Sequence, residues 1–221
     1  MPALSIDLLS FFLSLLIFAG YEAYVRRQSA RDPNYSVQQV MMQTRAAWVE
    51  AIMRDRRDIL AVQSFRNSIM AASLFASTSV LLIMGVLTLS EQGDKLSSAW
   101  HALNVVGQVG QAAWVSKLLV MLFDLLVAFF SFASAVRLYH HIGYLINVPP
   151  DATPHAQPAH VVAQLNRAGR FYTIGTRAYY LLVPLLMWLF GPHLMVLTTI
   201  ALVWLLHHLE RNPTNDDDLA G

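Results

Sequence analysis

Apolar residues crowd into four stretches of this chain, Leu4–Tyr24, Ile69–Leu89, Val115–Val136 and Tyr179–Leu206. A helix rises about 1.5 Å per residue and the hydrocarbon core of a bilayer is about 30 Å thick, so about 20 apolar residues suffice to cross it. Each stretch meets that length. The pattern predicts an all-α membrane protein with four transmembrane helices, whose chief partner is the lipid bilayer itself.

Between the stretches the pattern changes. From Asn34 to Met84 there is neither Gly nor Pro, a run of 51 residues. Pro33 ends the preceding turn, and Asn34 or Ser36 can cap a new helix. The second span is therefore expected to end a much longer helix, whose first part (about residues 36–68) extends into the cytoplasm. Met41, Trp48, Ile52, Ile59 and Val62 recur along it near three/four spacing. Asp55 interrupts that seam, and a bend over residues 55–58 is the alternative to a straight helix. A seam of this period packs either on the protein's own loops or on a second subunit. Within span two, Ala72 with Ala76 and Ser73 with Ser77 lie four apart, a spacing that lets helix backbones approach closely in lipid.

The stretch Glu91–Gln111 is polar, with Gly93, Gly107 and Gly110. Its glycines lack the strand, helix and third glycine of a nucleotide-binding loop. Trp100 and Trp114 are expected at the outer interface. Prolines at 149, 150, 154 and 158 make Asn147–Pro158 a loop. A short amphipathic helix near His160–Tyr172 follows, inside a cytoplasmic segment of about residues 137–178. Span four is long, about residues 179–206, and carries Pro184, Gly191 and Pro192. It is expected as one kinked helix; two half-segments parted at Gly191-Pro192 are the alternative.

Composition agrees with this picture. The chain is 56% apolar and only 13% charged, against about 25% charged in a soluble domain. A net charge of +1 supplies no field for nucleic acid. The absence of cysteine excludes disulfides, thiolate metal sites and thiol catalysis. Residues 1–221 read as one membrane domain.

Charge also gives an orientation. Arg26, Arg27, Arg31, Arg45, Arg54, Arg56, Arg57 and Arg66 lie between spans one and two, and Arg137, Arg167, Arg170 and Arg177 between spans three and four. Only Lys95, Lys117 and Arg211 lie elsewhere, so twelve of the 15 basic residues sort to one side. Short loops rich in Lys and Arg stay cytoplasmic. Four crossings then put both termini on the non-cytoplasmic side of a plasma membrane, of the bacterial inner-membrane kind. The acidic end, Asp216–Asp218, is compatible with that. Arg26 and Arg27, with no cleavage signal before them, make the first span a retained helix and not a signal peptide.

Few residues offer chemistry. Asp124 lies mid-way along span three, where an unpaired charge costs about 2.5–3.5 kcal/mol. It is either a proton or cation site or a hydrogen-bonded carboxyl at a helix interface. Lys117 shares its face but sits seven residues away, about 10 Å along the axis. Arg66 with Asn67, Arg137 and Arg177 stand at one inner level, as an anion-attracting ring or as helix ends reaching for headgroups. His140-His141 and His207-His208 are adjacent pairs that diverge by about 100° on a helix, so neither pair alone holds a metal. No nucleophile and base share a motif. The expectation is a non-enzymatic protein with no metal or cofactor.

Four words of the sequence carry a resemblance. "ILAVQSFRNSIMAASLFASTSVLLIMG" (Ile59–Gly85), "TRAAWVEAIM" (Thr44–Met53), "YLINVPP" (Tyr144–Pro150) and "GTRAYYLLVPLLMWLFGP" (Gly175–Pro192) resemble, in that family's order, the membrane family catalogued as domain of unknown function 599. The resemblance implies a four-span membrane protein and no activity. Gln63, Arg66, Asn67, Arg177, Gly191 and Pro192 match its recurring words, whereas Asp124 lies outside them. A homo-oligomeric channel or transporter, assembled through helix 2 and its extension, is the expected function. The alternative is a non-catalytic scaffold or accessory subunit of a membrane complex.

Overall fold

The computed structural model describes residues 2–55, 58–91 and 111–210. The described residues form six α-helices: α1 (Pro2–Arg31), α2 (Val37–Asp55), α3 (Asp58–Glu91), α4 (Gln111–Leu145), α5 (Pro158–Phe190) and α6 (Pro192–Glu210). A single 3-10 turn, Pro154–Ala156, sits in the proline-rich loop, and the described residues contain no strand. The glycine-containing stretch with Lys95 and Trp100, the pair Arg56–Arg57, and the tail with Arg211 and Asp216–Asp218 lie outside the described residues.

The helix starts follow local chemistry. The Ser36 Oγ accepts from the Gln39 amide at 3.3 Å, capping α2. Pro158 and Pro192 each occupy the first helical position, where a residue's N–H has no partner within its own helix.

Among the described residues, five helical segments are long and apolar enough, by length and composition, to cross a membrane: Ile6–Arg31, Ile59–Ser90, Ala113–Leu145, Pro158–Phe190 and Pro192–Glu210. Four apolar runs led to an expectation of four. The extra segment comes from the last run, which is two helices and not one kinked helix. Its first part continues the segment read as a short amphipathic helix, so α5 runs unbroken from Pro158 to Phe190. Its second part is α6. Leu181 packs against the cluster of Tyr21, Leu202 and Leu206. In one straight helix, positions 181 and 202 would lie about 31 Å apart. The chain therefore reverses at Gly191, and α6 runs back along the end of α5.

A second reversal replaces the long cytoplasmic extension. Trp48 and Phe65 meet edge to face with ring centroids 5.8 Å apart, where a straight helix would separate them by about 25 Å. So α2 folds back onto the start of α3, and the register of the seam changes. Val49, Ile52 and Met53 are buried on α2, with Ala61 and Phe65 on α3. Of the expected seam, only Ile52 is fully buried; Met41, Ile59 and Val62 are exposed.

Contacts divide the chain into two compact units, Met1–Gln39 with Leu82–Leu125 and Tyr179–Gly221, and Val40–Leu81 with Leu126–Ala178. In the second, the buried faces of α2 and α3 join Ala135, Tyr139 and Ile142 of α4 and Val161, Leu165 and Ala168 of α5. Phe132 is fully buried there between Phe75, stacked at 5.2 Å, and Tyr172, edge-on at 5.6 Å. Glu50, Met53, Arg54, Pro150 and Pro158 line an open cavity of about 300 Å³ in the same unit.

In the first unit, α1 packs on α6. Asp7 near the start of α1 meets Trp188, just before α6, and Tyr21 meets Glu210 at the end of α6. The two helices thus run in the same direction. Their buried positions repeat at three and four residues: Asp7, Ser10, Ser14 and Tyr21 on one, Pro192, Met195, Thr199, Leu202 and Leu206 on the other. This is knobs-into-holes periodicity.

What α1 buries is unusual. Three of the four buried residues among its described side chains, Asp7, Ser10 and Ser14, are polar, while Leu9 and Leu16 are 69% and 70% exposed. A water-soluble helix would be arranged the other way round. Leu74 and Leu81 on α3, Phe123 and Phe130 on α4, and Leu197 and Trp204 on α6 are likewise exposed. Such an apolar exterior matches the lipid that the length of these helices implies.

Candidate functional site

Pro192 creates the site's first need. In a helix, the amide of residue i+4 satisfies the carbonyl of residue i. The carbonyl of Trp188 would be served by residue 192, and proline has no N–H. Lys117 on α4 supplies the donor: its Nζ lies 3.1 Å from the Trp188 carbonyl oxygen. A cation at a helix C-terminus also opposes the negative end of the helix dipole.

An ammonium buried to 1% exposure needs a counter-charge. Asp7 provides it, with Oδ1 at 3.0 Å from Lys117 Nζ. The same oxygen accepts the indole N–H of Trp188 at 3.1 Å. The Trp188 ring in turn lies 5.2 Å from Lys117 Nζ and stacks on Phe11 at 5.1 Å. One lysine, one aspartate and one tryptophan thus tie α1, α4 and the end of α5 together at the helix break. Gly191 and Pro192 are both buried.

A polar row leads away from this node along α1. The Ser10 hydroxyl donates to the Asp7 carbonyl at 2.8 Å. Ser14 follows, 4% exposed, its Oγ without a hydrogen-bond partner among the described residues. Tyr21 ends the row and donates to Glu210 Oε2 at 3.0 Å. On α4, Asp124 stands seven residues after Lys117, so nearly on the same face. Met121 and Ala128, which flank it on that stripe, are 2% and 0% exposed. Asp124 Oδ2 is buried and, among the described residues, unpaired.

Asp124 therefore stands two turns along α4 from the buried node, nearly on the face of Lys117. The other expected polar residues lie elsewhere. Gln63, Arg66, Asn67 and Arg137 have exposed side chains that make no hydrogen bond or ion pair among the described residues, so no closed arginine ring forms. Arg177 is half-buried, with its Nε covered. All five belong to the second unit. Among the small residues of α3, Ala72 is fully buried, Ser73 and Ala76 are half-buried and Ser77 is exposed. His207 faces Tyr24 at 6.3 Å and His208 stacks on Trp204 at 5.6 Å, so both rings have aromatic neighbours.

Lys117 is not the interfacial residue its position at the edge of an apolar run suggests, and Asp7 escaped notice altogether. The available signal was the pairing: one acid inside the first run, one base just inside the third, and no other charge in either but Asp124 and Glu22.

The family described as "Protein of unknown function, DUF599" matches residues 9–215. No curated protein and no solved structure matches.

Proposed function

We propose, for a chain that belongs to the DUF599 family of unknown function, that it is a non-enzymatic, multi-pass channel or transporter of the bacterial inner membrane. One observation carries this reading: a buried row of polar side chains, headed by an ion pair, on a helix whose lipid-sized apolar surface faces outward. Ionisable residues inside a membrane bundle are costly and concentrate where ions or substrates pass. The broken helix beside the pair supports the same reading, because discontinuous helices recur at transport sites. Proteoliposomes should pass an ion or small solute above the leak of empty vesicles. Tight vesicles under every imposed gradient would remove the proposal.

Five crossings are part of the proposal. The N-terminus then stays outside, and the C-terminus moves to the cytoplasm, opposite to what four crossings imply. Five crossings sort charge better: Arg211 joins the inner side, making thirteen of 15 basic residues, and Lys117 is occupied by Asp7. With no native cysteine, a Gly221→Cys variant reports directly. It should resist a membrane-impermeant maleimide in intact cells and react once the cells are opened. Labelling in intact cells would restore four crossings.

We place self-assembly on α3, where Ser77 remains exposed beside buried Ala72. Small residues on a lipid-facing helix favour close contact with another helix. The Ser77→Cys variant should form an oxidant-dependent dimer in membranes, and Leu82→Cys, exposed but five residues on and so turned about 140° away, should form less. Equal cross-linking at both sites would argue for random collision.

A further inference from the structure

We infer that the species moved along the first unit is the proton, carried by the buried face of α1 with Asp124 as the acceptor in the membrane interior. The inference rests on the transport reading above and names its ion.

The row runs from Asp7 through Ser10 and Ser14 to Tyr21 and Glu210. Asp7 and Tyr21 are 14 residues apart, about 21 Å along the helix, which is most of the hydrocarbon thickness. Both ends are anchored by charged partners: Lys117 at one, Glu210 at the other. Two groups near the middle have unspent hydrogen-bonding capacity, Ser14 Oγ and Asp124 Oδ2. Each lies seven residues, two turns, beyond one member of the ion pair: Ser14 beyond Asp7, Asp124 beyond Lys117. Thr199 stands seven residues beyond Pro192 on parallel α6 and is 1% exposed, its hydroxyl donating to the Met195 carbonyl at 2.7 Å. Polar groups of three helices thus recur at the same register, two turns from the node.

The chemistry of the row selects among ions. A metal cation stripped of water needs about six oxygen ligands, and an octahedral or larger cage. This row offers single hydroxyls and carboxylates, and Lys117 repels a second cation. An anion would meet Asp7, Asp124 and Glu210 with the one ammonium already bound to Asp7 and to a carbonyl. A proton needs a single acceptor at each step. Each hop forms one O–H bond as another breaks; the hydroxyls of Ser10, Ser14 and Tyr21 stand about 6–10 Å apart along the axis, so water between them relays the proton, with each hydroxyl as donor and acceptor in turn. Carboxylates in such chains are the usual relays of pumps and transporters. Lys117 of α4 and Glu210 of α6 bond to the row directly, and Asp124 stands two turns along α4 from Lys117; Asp7 and Glu22 lie on α1 itself.

The test uses the full chain in liposomes that contain a pH-sensitive dye, with an inward-driving potassium diffusion potential. The native protein should acidify the lumen at least tenfold faster than empty vesicles do. Asp124→Asn should lower that rate at least tenfold, and Asp124→Glu should keep most of it. Ser14→Ala, a small change that tests the row if the first variant does not fold, should lower it severalfold. Leu13→Val, on the exposed face, should leave it unchanged. Native rates in folded, monodisperse Asp124→Asn or Ser14→Ala would overturn the pathway. Flux of potassium or chloride without protons would overturn the proton while leaving transport standing. Vesicles tight to every ion would overturn both.

Discussion

Replacing Lys117 by Met should destabilise the folded protein by about 3–5 kcal/mol, the usual cost of removing one partner of a buried pair. The loss is large because two groups are stranded. Asp7 keeps a carboxylate at 12% side-chain exposure with only an indole N–H beside it. The Trp188 carbonyl keeps no donor at all, since Pro192 has none to give. A second substitution separates these effects. In Asp7→Leu/Lys117→Met no charge is left inside, and replacing a buried pair by apolar groups of similar volume is often neutral. What then remains is the cost of two unsatisfied Trp188 groups, about 1–3 kcal/mol each. The double variant should therefore melt above the Lys117→Met single variant, although it has lost more of the native contacts. Thermal unfolding in mild detergent decides the matter. Strictly additive losses would mean that the two residues do not act as a pair.

That non-additivity explains why the node was hard to read from the chain. Asp7 is one of two acids in a mostly apolar run of 21 residues, and Lys117 is one base near the end of another. Only the packing of α1, α4 and α5 brings Trp188 to both of them. The reversal at Gly191 is written in a legible way, since Gly-Pro interrupts a run too long for a single crossing. A straight kink and a full turn nevertheless obey the same local rules, and the packing of Leu181 on Leu202 and Leu206 distinguishes them. Length and apolarity located three of the five membrane-sized helices among the described residues, because those features depend on each segment alone; the last run merged the other two. The seam of α2 and α3 failed for the opposite reason. Its periodicity assumed one rigid helix through residues 55–58, and the contact of Trp48 with Phe65 requires two. The inner arginines were legible as an orientation signal and illegible as a site. Their number on one side is a property of the sequence, whereas Arg66 and Arg137 prove exposed only once each helix has been rotated into its packed position. Asp124 proves to have a buried carboxylate oxygen, and its stripe with Lys117 followed from spacing alone.

The second unit is held by shape where the first is held by charge, and Gly175→Val should reveal this with a loss of about 3 kcal/mol, the upper end of the usual overpacking range. A Cβ at position 175 would stand 2.8–2.9 Å from three atoms of the Phe132 ring. That ring has nowhere to go: it is fully buried, with Phe75 stacked on it and Tyr172 against its edge. Even Ala should cost about 1 kcal/mol, and the two further methyls of Val deepen the clash. Gly169 gives the comparison. A Cβ there would strike the guanidinium of Arg45, closer than at Gly175. The obstacle is the far end of a flexible, half-buried side chain, which can swing aside. Ala is also the better helix former by about 1 kcal/mol. Gly169→Ala should therefore change the melting temperature little, while Gly175→Val lowers it by many degrees. Equal losses at the two positions would mean that the Phe132 cluster yields as easily as a surface arginine, and that close packing around Phe132 does not hold this unit.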